Sequence, residues 1–77
     1  MNLGPYSTVI HATDEKGTTL YLCENDLWSA NPRDARHWAK PLEAQEVRTR
    51  ISWKATNIYN FTDVTTLLVS TDEFRSA

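Results

Sequence analysis

One cysteine and two glycines in 77 residues leave several architectures out at once. A lone Cys23 forbids an intramolecular disulfide and any cysteine-paired zinc motif, and it fits a reducing compartment. Gly4 and Gly17 are too few for a glycine-rich nucleophile elbow. No apolar run approaches a membrane span, and MNLGPYSTVI has neither the basic region nor the continuous apolar stretch of a secretion signal. A cytoplasmic location is therefore expected, and the sequon-like Asn60-Phe61-Thr62 is read as strand sequence. Charge of one sign is also scarce, with a formal net charge of −2.

What is there is a small single domain spanning 1–77. A chain of this size buries only about 60% of its unfolded surface, so a self-contained pocket of roughly 300 Å³ is hard to build and no cofactor is expected. The charges are segregated. Residues 1–31 are mainly acidic, and so are the last residues, with Asp63, Asp72 and Glu73 against Arg75. Residues 32–54 hold Arg33, Arg36, Lys40, Arg48, Arg50 and Lys54 against Asp34, Glu43 and Glu46.

Residues 7–13 and 18–24 alternate and are rich in β-branched types, with Asp14-Glu15-Lys16-Gly17 between them as a hairpin turn. Ile10, Leu20 and Leu22 form the core-facing set. Ser29 or Asn31 can cap a short helix that begins at Pro32 and ends before Pro41. Pro41 opens a second helix whose inner stripe is Ala44, Val47, Ile51 and Ala55, with Glu46 and Arg50 as an outward pair. That helix stops near Thr56-Asn57, where Asn57 suits the left-handed conformation. Residues 57–70 read as a strand, bulged near Thr62-Asp63, although Val64, Leu67 and Leu68 also fit a helical period; the tail is frayed or a single turn. The expected class is α+β: a three- or four-stranded antiparallel sheet in β-β-α-α-β order, with one main helix on one face. The other face is left to solvent, and Tyr21, Tyr59 and Phe61 on it would make it unusually apolar.

Chemistry-bearing residues are sparse. His37 lies three residues after Asp34, with Ser29 nearby, which makes a triad conceivable; a solvated Asp34–His37 pair on one helical turn is the simpler reading. His11 and Cys23 could meet across the hairpin, yet two ligands without a third make no zinc site, so no metal is expected. Cys23 reads as a half-buried strand residue. Trp28 and Trp38 read as core. Trp53 sits about 200° around the helix from Ile51, beside Arg50 and Lys54, in the composition of a binding hot spot.

Leu20-Tyr21-Leu22, Trp28, Asn31-Pro32, Asp34-Ala35-Arg36, Trp38 and Pro41-Leu42-Glu43-Ala44 follow one another over residues 18–50 in a pattern that resembles short accessory proteins of bacteriophages and prophages. The resemblance implies a category: proteins that bind a host protein, as anti-CRISPR, other anti-defence or host-takeover factors do. The expectation is a non-enzymatic protein-binding module, a phage-type inhibitor or modulator of a bacterial host protein, with Trp53, Arg50, Lys54 and Arg48 on its contact surface. The alternative is a nucleic-acid-binding accessory protein using the basic residues of 32–54.

Overall fold

The computed structural model describes residues 3–77. Strand β1 (Tyr6–Thr13) turns back into β2 (Thr19–Leu22), which continues into a two-residue β3 (Trp28–Ser29). A 3-10 turn at Pro32–Asp34 leads to helix α1 (Pro41–Asn57), then β4 (Thr62–Ser70) and the short α2 (Thr71–Arg75). The strands form one antiparallel sheet in the order β3-β2-β1-β4. The α+β class and the one main helix agree with the sequence reading, whereas the element order is β-β-β-α-β-α.

The first turn forms as its residues dictate. Gly17 takes φ 83°, and the Asp14 carboxylate accepts from the backbone N–H groups of Lys16 and Thr18 at 2.9 and 2.8 Å. The second turn is a departure from expectation. Asn25 (φ 60°, ψ 28°) and Asp26 (φ 59°) are both left-handed, and the Leu27 N–H closes onto the Glu24 carbonyl. Two central residues at positive φ are the requirement of a primed hairpin turn, which Asn and Asp tolerate. This turn creates β3.

The expected helix from Pro32 toward Lys40 is only one 3-10 turn. Asn31 caps it by accepting from the Arg33 N–H at 3.0 Å, but Ala35 is already extended. Beyond it, Arg36 N–H bonds to the Leu22 carbonyl, and Trp38 exchanges both backbone bonds with Thr8 at 2.9 Å. Residues 36–38 thus extend the β2 side of β1, and pairing with the central strand outweighs a helix too short to be stable alone.

The core lies on the α1 side, where Ile10, Leu22, Trp38, Ala44 and Ile51 pack with Trp28, Val47 and Val64. Small Ala44 and Ala55 bring the helix backbone close to the sheet. The second face is not bare. Val9, Ala35 and Val69 are buried there beneath Tyr21 and Phe74, the latter carried by α2. Tyr21 alone of the three expected aromatics lies on this face; Phe61 is buried in the helix-side core against Trp28, and Tyr59 stacks on it. Consequently β1 is enclosed from both sides, and residues 7–10 are all buried.

β4 is a strand with the expected irregularity, but it starts at Thr62 rather than near residue 57. Asn57 is the last residue of α1, and residues 58–61, including Asn60-Phe61 of the sequon-like stretch, form the connection between them. Between His11↔Thr65 and Thr13↔Thr62, β4 carries one residue more than β1, and Asp63 in the gap takes φ 52°. The left-handed residue after α1 is Asn60 (φ 59°) rather than Asn57, which remains helical and donates from its side chain to the Trp53 carbonyl. Among the described residues no helix is long and apolar enough to cross a membrane.

Candidate functional site

One flank of α1, where buried Ile51 and Ala55 give way to exposed Arg50 and Lys54, and the corner where β2 turns into β3 frame a cleft of about 160 Å³ that Leu22, Asp26, Trp28 and Tyr59 also line. Its floor is core, since Leu22 and Ile51 belong to the buried cluster. Its rim is polar. Arg50 donates from both terminal nitrogens to the Asp26 carboxylate, at 3.2 and 3.3 Å. The guanidinium holds the Asp26 carboxyl below its ordinary value, chiefly through the hydrogen bond, and the same bond raises Arg50. Arg50 therefore does not form the expected outward pair with Glu46; the primed turn delivers a better-placed carboxylate.

Trp53 is 67% exposed. It sits on the helical face opposite Ala44, Ile51 and Ala55, one turn after Arg50, so Arg50 is its neighbour on the helix surface and links it to the cleft. Lys54 lines the cleft itself. Arg48 does not join them: it lies about 160° around the helix from Arg50 and donates to the Val64 carbonyl of β4 at 3.4 Å. Of the four residues expected at a contact surface, three share one side of the molecule. Exposed Leu27 and Ile58 are sequence neighbours of the cleft residues Asp26 and Tyr59, a detail that sequence periodicity did not supply because both lie in turns.

The basic residues of 32–54 diverge. The Arg36 guanidinium lies 4.7 Å from the ring of Trp38 and 3.9 Å from Glu24, Arg50 is on Asp26, and Arg48 is on β4.

Asp34 and His37 do not pair, because the 3-10 turn ends at Asp34 and Ala35 is already extended, so the two residues no longer share a helical turn. Asp34 instead accepts from Ser29 at 3.0 Å. His37 Nδ1 lies 2.6 Å from Ser7 Oγ, and Ser7 Oγ lies 2.8 Å from Thr71 Oγ1, which also reaches the Gly4 carbonyl at 3.0 Å. Each hydroxyl has one proton to give. Only one direction gives every contact its own proton: Nδ1–H to Ser7, Ser7 to Thr71, and Thr71 to Gly4. Nε2 is then a buried bare lone pair with no partner, next to the edge-on ring of Phe74. Burial, and then the charge of Arg75, push the His37 pKa down and keep the ring neutral. In this chain His37 is a donor toward Ser7 rather than its base, and Ser7 is 1% exposed. The contact ties β1, the 36–38 segment and α2 together.

Cys23 donates from Sγ to the Tyr21 carbonyl at 3.3 Å. Burial, then Asp34 and Glu24, push its thiol pKa up, opposite to the direction that activates a nucleophile. Among the described residues no three His, Cys, Asp or Glu side chains come together in a metal-binding group. Compared with family models, curated proteins and solved structures, the chain finds no match in any of the three.

Proposed function

We propose that this chain is a non-enzymatic protein-binding module whose contact surface centres on Trp53, with Arg50, Lys54 and the adjoining cleft. The observation that carries the reading is the exposure of Trp53 on the helix face turned away from the sheet, where its large apolar area serves no part of the core. A tryptophan beside cations supplies much of the truncation-sensitive energy of an interface, and a neighbouring concavity accepts a side chain from the partner. The resemblance of residues 18–50 to phage accessory proteins gives the reading its specific form: an inhibitor or modulator of a bacterial host protein, of the anti-CRISPR, anti-defence or host-takeover kind, acting in the host cytoplasm.

Affinity capture from a bacterial lysate, with wild type and Trp53→Ala side by side, tests the reading. The expected result is a discrete protein retained by wild type and lost with the variant, whose circular dichroism and melting are unchanged. Recovery of nucleic acid in place of protein, released steeply by salt and lost in Arg48→Ala with Arg50→Ala, overturns it in favour of the accessory nucleic-acid role.

A further inference from the structure

The geometry points to a second interaction surface, separate from Trp53: we propose that the outer edge of β4 pairs antiparallel with the β4 edge of a second copy, joining two four-stranded sheets across a two-fold axis.

The backbone defines which groups are free. Thr8 exchanges both its N–H and C=O with Trp38, on the side of β1 away from β4. Backbone groups alternate in direction along a strand, so Thr8↔Leu68 and Ile10↔Thr66 are non-hydrogen-bonded pairs of the β1–β4 ladder. The N–H and C=O groups of Thr66 and Leu68 therefore point outward, to an edge that no other strand occupies among the described residues; the Thr66 carbonyl has one long local contact there, from Thr65 Oγ1 at 3.4 Å. From Tyr6↔Ser70 to His11↔Thr65 the ladder is unbroken, so this edge is regular over residues 65–70.

Exposed edges of this length are ordinarily blunted by a lysine, a proline, an inward charge or a bulge. Here the bulge lies at the far end, at Asp63, and residues 64–71 (VTTLLVST) contain no charge, proline or glycine. Leu68 is 65% and Leu67 42% exposed on this strand. The strand's neutrality argues for its own copy as occupant: there is no charge for a complementary partner to read, and antiparallel pairing about a two-fold axis lets one sequence serve both sides. With the axis at Leu67, that residue faces Leu67 of the second copy, and Thr66 faces Leu68 twice, each such pair exchanging both its backbone bonds. The assembly closes at two, because the opposite edge, β3, is only two residues long. Six residues of edge and two leucines fall short of the roughly 1,600 Å² of a standard interface, so the dimer is a weak one, with a Kd on the order of 100 µM.

Sedimentation equilibrium and amide exchange over about 10 µM to 1 mM test this. The mass is expected to rise from 8.8 kDa toward twice that value with concentration, while exchange at Thr66 and Leu68 slows by about fivefold or more. Leu67→Lys, which opposes like charges on the axis, keeps the monomer folded by circular dichroism and abolishes the rise. Mixing Leu67→Lys with Leu67→Glu restores it. A constant 8.8 kDa mass at all concentrations overturns the proposal, as does a dimer that persists in Leu67→Lys or a mixture that fails to associate.

Discussion

The Asp26 carboxylate receives both terminal nitrogens of Arg50, 24 positions later, so that a left-handed turn residue is tied to the outer flank of the main helix. Both partners are solvent-exposed, and exposed pairs are weak and screened. Asp26→Asn is expected to lower Tm by no more than about a degree or two in low salt, with the difference gone at about 0.5 M NaCl. A larger, salt-insensitive loss would show that the turn itself, rather than the pair, depends on the carboxylate.

Asn25 tests the turn directly. At φ 60° a glycine is at ease and a β-branched residue is not. Asn25→Gly should leave stability within about 0.5 kcal/mol of wild type, and Asn25→Val should cost about 1–2 kcal/mol by chemical denaturation. Equal effects of the two substitutions would mean that the left-handed conformation is not held in solution.

Leu22 and Ile51 meet in the helix-side core, where Leu22 is 1% and Ile51 8% exposed. Leu22→Ala or Ile51→Ala is expected to cost about 2–4 kcal/mol, a large share of the stability of a domain this small. Trp53→Ala, in contrast, should shift Tm by less than about 2 °C while weakening partner binding by about 2 kcal/mol. Thermal denaturation of the three variants separates core from surface, and a Tm loss for Trp53→Ala as large as that for Ile51→Ala refutes the contact role.

His37 makes stability pH-dependent. Its folded pKa is lowered, so the unfolded chain takes up the proton first as pH falls. The stabilisation is complete above the unfolded value of about 6.5 and is lost progressively as pH drops through that value toward the lower folded pKa. Tm measured between pH 8 and pH 5 should fall in this window for wild type, and the fall should be smaller in His37→Gln. Identical pH profiles for the two proteins would remove His37 from the account.

The parts of the fold that were legible in the sequence are those with local causes. Asp14 and Gly17 specify the first hairpin, Pro41 starts α1, and the Ala44–Ile51–Ala55 spacing identifies its inner face. β3 was legible in principle, because Asn25-Asp26 between two apolar runs is a two-residue hairpin signal, but a two-residue strand gives no periodicity to detect. The extended path of Trp38 was not legible, since its cause is the open edge of Thr8, 30 positions earlier. The same separation hides the Ser7–His37 contact, and Phe74 over Tyr21 joins residues whose local sequences say nothing of one another. For the candidate surface, helical phase placed Trp53 outward correctly, while the partner of Arg50 and the divergence of Arg48 required the tertiary arrangement.

The pairing of β1 with β4 has a kinetic consequence. The central strand finds its longest neighbour across a separation that reaches from Tyr6 to Ser70, so much of its ladder waits on closure of a long loop. During synthesis the β1–β2 hairpin can form early, but Thr66 through Ser70 emerge long after it, and until they do one flank of β1 stays open. Folding should therefore be slower than the helix content suggests, with the hairpin and α1 forming ahead of a late, rate-limiting zippering of the two distant strands. Pairing of residues 65–70 with β1, rather than the order in which the local elements form, sets the moment at which the sheet is completed.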